Sequence, residues 1–441
     1  MRRKTLYSAL YTAFVAVALA ACNDYDAVQT AYEDKTDDDV TITPPTIESS
    51  WELQQIPNVG QHNENVFVYK DKKYDKLFTR TLGWNGGSGA QTTLLPDGNV
   101  FWTFNDSYYG VVDAGTRARG NCNVPHNSVM VQTADAGRKI GETDDNLKWL
   151  ADYVQTTNPD GEGYYHAYAH ITSEENTTDD KYFYQAADAT VFDDNGTKKL
   201  QMLWKAIDNR EGKMTRTGTC LVTYSLEGQP GADTYLEKMA RDENFNTDAV
   251  GYGSTMWEDE DGHTYLYVTD NNRPIVARTT THDLTSEWEY YIRDLSGNFV
   301  WQKTYPTSEE RIRSSIMENN YVCNMPWVFK KGDKYYMVAQ TTSYGRIVYI
   351  YCGETPYGPF TGQKILFNVP YTVDKIGNQY YKNLSMINLH PELSRQGELV
   401  FSTNTDADAS GDNFNFPGSA DFYRPYFYRV FNWESLYDEK E

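Results

Sequence analysis

Five times along this 441-residue chain a β-prone run, an acidic or glycine-bearing turn and an aromatic β-prone run follow one another, at residues 92–102, 189–204, 254–268, 327–338 and 386–401. Each unit reads as a hairpin, because a glycine in a two-stranded turn supplies the positive φ that other residues resist. The turn glycines Gly98, Gly196, Gly262, Gly332 and Gly397 stand 98, 66, 70 and 65 residues apart. The later, near-constant spacing suits a four-stranded unit with a long connection. The wide first gap predicts an insertion at 137–181. Repetition at this period points to an all-β fold, a five-bladed β-propeller that protects its strand edges by radial closure. A β-sandwich would account for the strands but not for their spacing. The 36 Tyr, 18 Phe and 10 Trp support strands, and only 144–154 and 235–243 offer a candidate helix. A single domain over 51–441 is expected.

The N-terminus carries a separate signal. Arg2, Arg3 and Lys4 precede an apolar stretch that ends in Leu19-Ala20-Ala21-Cys22. A basic n-region followed by a short apolar run is the pattern of a secretory signal, and the run falls short of the ~20 residues of a membrane span. The last four residues resemble the lipobox of bacterial lipoproteins. The resemblance implies cleavage after residue 21 and lipidation at Cys22, hence membrane attachment through acyl chains. Asn23-Asp24-Tyr25-Asp26 resembles the surface-export signal of Bacteroidota lipoproteins, which implies an outer-membrane protein displayed on the cell surface. Residues 22–50, rich in Asp, Thr and Pro without apolar periodicity, read as a flexible acidic tether.

Charge narrows the partners. The chain holds 40 basic and 62 acidic residues; losing 1–21 leaves 37 and 62, a net charge of about −25. Nucleic acid and anionic polymers are therefore excluded as expected ligands, whereas a neutral glycan fits. Cys122, Cys220, Cys323 and Cys352 form no C-x-x-C pair, so neither a zinc nor a thioredoxin-like site is indicated. Disulfides and buried thiols both remain open. Nucleophile-elbow, H-E-x-x-H and P-loop patterns are missing. No metal site and no cofactor are expected; a structural Ca²⁺ is the one alternative, although it needs six to eight oxygen ligands and no EF-hand-like spacing occurs.

Individual units look familiar. Residues 257–266 (WEDEDGHTYL) resemble the F-x-D-x-D-G-x-x-Y-L hairpin of arabinanase-type glycoside hydrolases. Met325-Pro326-Trp327-Val328-Phe329 with 332–336, and Thr355-Pro356-Tyr357-Gly358-Pro359-Phe360, resemble the unit that follows there. A broader match takes in nearly the whole chain after the tether: GWNGGSG at 83–89, LPDG at 95–98, WTFNDS at 102–107, RAR at 117–119, HNSV at 126–129, ADA at 187–189, Tyr252-Gly253, Val276-Ala277-Arg278, LHPELS at 389–394 and YRPYF at 423–427. In this order they resemble the Bacteroidota propeller proteins known as domain of unknown function 5005, related to the 4185 group, some of which are endo-acting D-arabinanases. The resemblance implies a propeller acting on a polysaccharide or oligosaccharide. The chain departs from the pattern at Ser88, Gly253 and Asn324, where related sequences would carry acidic residues.

Glycoside hydrolysis normally uses two carboxyl groups, one protonating the leaving oxygen and one acting as base or nucleophile. Asp106, just past a predicted strand, and Asp188, flanked by Ala187 and Ala189, are the candidate pair. Either would otherwise be a turn aspartate bonding nearby amides. Arg117, Arg119, Arg278 and Arg424 are candidates for holding sugar hydroxyls, with blade-organising salt bridges as the alternative. The resemblance raises His126 and His390 as residues for a sugar hydroxyl or a central cation; Asn127 and Asn324 join them as ligand-binding candidates, and Trp84 and Tyr252 are candidate stacking platforms because a sugar's C–H face packs on an aromatic ring. The expected function is thus a glycan-active surface lipoprotein of furanosidase or endo-arabinanase type. The competing expectation is a glycan-binding lipoprotein that has lost a catalytic carboxylate.

Overall fold

The computed structural model describes residues 44–56, 65–150, 152–154, 164–169, 171, 180–230, 232, 234–247, 250–318, 323–341, 345–369, 375–376, 379–380, 383–407 and 409–437. The signal segment, Cys22 and most of the tether lie outside them.

Among the described residues, five antiparallel sheets of four or five strands follow one another along the chain. The first holds Gln91–Leu94, Val100–Phe104, Ser128–Gln132 and Leu147–Leu150. The second holds Tyr182–Asp194, Thr197–Asp208, Thr215–Leu226 and Tyr235–Asn246. The third runs from Thr255–Glu258 to Phe299–Gln302, and the fourth from Asn324–Lys331 to Thr361–Asn368. The fifth is composite: Asn383–Leu389, Leu399–Asp406 and Pro425–Phe431 pair onward to Phe67–Asp71 and Leu53–Gln55 from the other end of the chain. All five predicted turn glycines have positive φ, between 60° and 92°.

Side chains alternate between the two faces of a strand, and here both faces are buried. Phe101 packs with the second sheet, while Val100, Trp102 and Phe104 pack with the fifth. Trp204 faces the first sheet and Leu203 the third; Tyr265 and Tyr267 face the fourth sheet and Leu266 the second. Trp327 and Phe329 join the fifth sheet, and Val328 the third. Five hydrophobic cores result, one between each successive pair of sheets and one between the fifth and the first.

Hydrogen bonds repeat this order along the leading strand of each sheet. Asn105 Oδ1 accepts from the Ala186 amide at 2.7 Å, and the Asp188 amide donates to Gly253 O at 3.1 Å. Thr255 Oγ1 donates to Pro326 O, and Trp327 Nε1 to Ile387 O. Asn404 Nδ2 donates to Gly87 O at 2.6 Å, joining the fifth sheet to the strand that leads into the first. Each joint lies by a break in strand register or a left-handed residue: Gly89, the 186–189 shift, Gly253, Met325 and Met386.

Three expectations need correction. Residues 235–243 lie not in a helix but in the strand Tyr235–Asn246, a mostly exposed sheet edge whose Glu237, Lys238, Arg241, Asp242 and Glu243 oppose pairing with another strand. Residues 144–154 form a 3-10 turn and the strands Leu147–Leu150 and Asp152–Val154. The wide first gap has two sources. One is the strands Ser107–Val112 and Arg119–Asn123, which form a separate sheet with Leu82–Gly87. The other lies after Leu147–Leu150, itself a strand of the first sheet. All four described cysteines are free thiols.

Candidate active site

Asp106 follows the strand Val100–Phe104, and His126 precedes the strand Ser128–Gln132, which is hydrogen-bonded beside it. That pairing brings His126 Nδ1 to 2.7 Å from Asp106 Oδ1, with side chains 15% and 24% exposed. The imidazole stacks on Phe183 of the second sheet at 3.6 Å between centroids. A ring clamped on one face and hydrogen-bonded at Nδ1 has its orientation set.

Residues from two further segments complete this corner. The Ser88 amide donates to Asp106 O at 3.3 Å, and the Tyr423 hydroxyl reaches Ser88 Oγ at 3.5 Å. Tyr423 has φ 59°, unusual for a bulky residue. Its amide donates to Thr405 O at 2.9 Å, and its carbonyl accepts from Gly87 at 2.7 Å, which together hold the conformation. Gly86 is needed beneath it: a Cβ there would lie 2.8 Å from Tyr423 O and 2.7 Å from Arg119 Nη2. Burial, and after it the Asp106 charge, push the Tyr423 phenol well above the usual tyrosine range, so it stays protonated. Burial pushes Tyr108, tilted against Tyr423 at 4.9 Å, up to about 12.

Asp188 stands elsewhere. It is 5% exposed, its Oδ1 accepts from the Ala189 amide at 2.9 Å, and its Oδ2 accepts from the Met256 amide at 2.7 Å. Burial pushes its pKa up to about 8; the two amides oppose this, and the charges of Glu392 and Glu258 add to it. Its acidic neighbours are therefore Glu392 and Glu258, not Asp106. Burial likewise pushes Glu392 up to about 7, and Glu392 Oε1 is buried without a hydrogen-bond partner. Asp188 ties the second sheet to the third, each of its oxygens accepting one backbone amide. Among the described residues no group of three or more His, Cys, Asp or Glu side chains is arranged to hold a metal ion.

Most other sequence candidates are buried or already paired within the protein. Trp84 is 1% exposed and stacks on Trp149 at 4.6 Å, so its ring offers no face to a sugar. Arg119 is fully buried; its guanidinium donates to Asn85 and to the carbonyls of Asn413, Ser419, Ala420 and Phe422. Arg117 binds Asp421 and Arg80 O, and Arg424 binds Asp421 while lying 3.9 Å over the Tyr426 ring. Arg278 pairs with Glu289 at 2.7 Å and covers Trp301. Asn127 is buried and bridges Ala169 and Tyr184 through carbonyl and amide groups. Tyr252, 3% exposed, packs edge-on to Tyr290. His390 is enclosed between Thr92 Oγ1 at 2.7 Å and Ser402 Oγ at 2.9 Å, and burial drives its pKa down to about 3. Asn324 is half-buried at the start of its strand, opposite Gln340. Of the candidates, the structure joins Asp106 and His126 directly, and Arg117 and Arg424 through a shared Asp421. It adds Ser88, Tyr108, Tyr423, Phe183 and, one residue beyond Thr405, Asp406. Tyr423 opens the YRPYF stretch, but nothing local marks one tyrosine among 36.

The family model described as Domain of unknown function (DUF5005) matches residues 71–433. A crystal structure from Bacteroides ovatus ATCC 8483, of a protein classed provisionally as a hydrolase, is similar at 52% identity and a TM-score of 0.84, covering 91% of this chain and all of that one. The GH43_1 enzyme from Xanthomonas citri is 12% identical with a TM-score of 0.39, over 81% of this chain and 91% of that one. The xylan β-1,4-xylosidase from Bacillus halodurans C-125 is 10% identical with a TM-score of 0.38, over 75% and 51%. Likeness as loose as the last two carries no argument about chemistry. No curated protein matches the sequence.

Proposed function

This chain belongs to the DUF5005 family, and we propose that it is a glycan-active, five-bladed propeller hydrolase of furanosidase or endo-arabinanase type. Five cores between successive sheets, the last between the fifth and the first, support the five-bladed reading. A single observation carries the hydrolase reading: Asp106 is a partly exposed carboxylate oriented by His126, beside the Tyr423 hydroxyl. A base or nucleophile in glycoside hydrolysis must be reachable and fixed in direction. Asp106 meets these needs better than Asp188, whose two oxygens are taken by backbone amides. Lipid attachment at Cys22 would hold the domain at the outer membrane, facing polysaccharide outside the cell.

The test is turnover of arabinofuranose-containing polymers by wild type and Asp106→Asn. The variant is expected to lose at least ~10²-fold, in line with removal of a general acid or base. Undiminished turnover would exclude Asp106 from the chemistry. A second reading, a glycan-binding lipoprotein without catalysis, is favoured by the residues at the inter-sheet joints. Ser88, Gly253 and Asn324 put no carboxylate there, and Asp188 is sealed. It predicts saturable binding of the same polymers with no product released.

A further inference from the structure

We propose that Asp406 is the second carboxyl group of this site and serves as proton donor to the leaving oxygen, with Asp106 as its partner. The proposal rests on the hydrolase reading above and replaces Asp188 as the partner of Asp106.

Asp406 ends the strand Leu399–Asp406 of the fifth sheet, and Asp106 lies just past Val100–Phe104 in the first. Both strands are second in their sheets, and both aspartates are partly exposed where the chain leaves the strand. Hydrogen bonds through Ser88 and Tyr423 link the Asp106 backbone to Thr405, the residue before Asp406. Asp106 O accepts from the Ser88 amide, Ser88 Oγ from the Tyr423 hydroxyl, and Thr405 O from the Tyr423 amide, with Asp406 next in the chain. Tyr423 and Tyr108 each feel the charge of both aspartates.

Their surroundings differ in the direction that acid–base work needs. Asp106 faces an imidazole nitrogen at 2.7 Å. Asp406 is held by the Asn413 side-chain amide at 3.2 Å, and burial raises its pKa, favouring the protonated form. Two carboxyl groups placed in unlike environments can hold opposite protonation states at one pH. In the resulting step, the bond between the anomeric carbon and the leaving oxygen breaks, and that oxygen takes the Asp406 proton. A water oxygen bonds to the anomeric carbon and gives its proton to Asp106. Proton exchange with solvent then restores both carboxyls, so one water is consumed per bond cleaved.

The probes are an arabinofuranose polymer and aryl arabinofuranosides whose phenol leaving groups range from poor to very good. A dinitrophenolate leaves without help from an acid; a sugar alkoxide does not. Asp406→Asn should therefore lose at least ~10²-fold in kcat on the polymer yet stay within about threefold of wild type on the dinitrophenyl substrate. Asp106→Asn should lose activity on both. Asp406→Ala should regain polymer turnover in formate buffer at acid pH, where formic acid can supply the proton, which a purely structural role would not allow. Equal loss of Asp406→Asn activity across all leaving groups, or no loss at all, overturns the assignment of Asp406 and leaves the hydrolase reading standing. If wild type cleaves neither polymer nor aryl glycoside, the hydrolase reading falls first and takes Asp406 with it.

Discussion

Arg429 offers a demanding test of how the fifth sheet is held. It lies on the strand Pro425–Phe431, and its side chain, like those of Asp71 and Glu398, has no solvent exposure. Nε stands 2.6 Å from Asp71 Oδ2, and Nη1 stands 2.6 Å from Glu398 Oε1 and 3.0 Å from Leu393 O. Arg429→Met would leave two buried carboxyl groups without their cation. Breaking a buried pair in this way costs about 3–5 kcal/mol, because the stranded charge keeps its desolvation penalty. For a folded region of about 390 residues, an unfolding entropy of about 2.1 cal/mol/K per residue gives about 0.8 kcal/mol/K. The melting midpoint should then fall by about 4–6 °C, measured by calorimetry at pH 7. The deficit has a pH signature. Burial alone would raise the Glu398 pKa, but the Gln396 amide, the Arg429 charge and the Arg395 amide outweigh it and hold it low. A carboxyl depressed on folding adds stability above its unfolded value, lost as pH falls through the folded value. The gap between variant and wild type should therefore narrow below about pH 4. Adding Glu398→Gln to the variant should recover part of the loss, since it removes one stranded charge. A midpoint shift under about 1 °C for Arg429→Met, well below the fall calculated from entropy, would refute the argument that this triad fastens the sheet.

Trp84→Ala should cost about 3–5 kcal/mol as a core cavity, visible as a lowered urea midpoint, while leaving glycan affinity unchanged in any sample that remains folded. A stacking platform would instead lose affinity without losing stability. His390 has its pKa lowered on folding to about 3, so between that pH and its unfolded value near 6.5 the unfolded chain binds a proton that the folded one refuses. Its contribution is present above about pH 6.5 and is lost as pH falls toward 3. His390→Gln should flatten this acid limb in unfolding curves taken from pH 7 to pH 4; an unchanged slope would mean that the imidazole is not enclosed.

Much of the fold was readable because its rules are local. A turn glycine, flanking strands and near-even spacing sit within a dozen residues, and all five such turns formed as expected. The strand Tyr235–Asn246 escaped because an exposed edge has no buried face to impose alternation. The site was less readable because its members are joined by long-range packing. Asp106 and His126 are 20 residues apart and could be named, but their contact depends on strand pairing. His390 finds Thr92 from 298 residues away, and Arg119 is caged by carbonyls between Asn413 and Phe422. No motif shows whether an arginine or a tryptophan will face a ligand or a neighbouring sheet. Asp188 stood out for its small neighbours, the same smallness that lets the Met256 amide close on its carboxyl.

The composite fifth sheet also sets the order in which the molecule can be completed. Phe67–Asp71 pairs with Pro425–Phe431, so one of the earliest structured segments to be synthesised waits for nearly the last. Contacts so distant in sequence raise contact order and slow folding. Until they form, the first and fifth sheets leave strand edges and apolar faces uncovered, a state prone to mispairing. A chain truncated before residue 425 would lose the seam that joins its two ends as well as one strand.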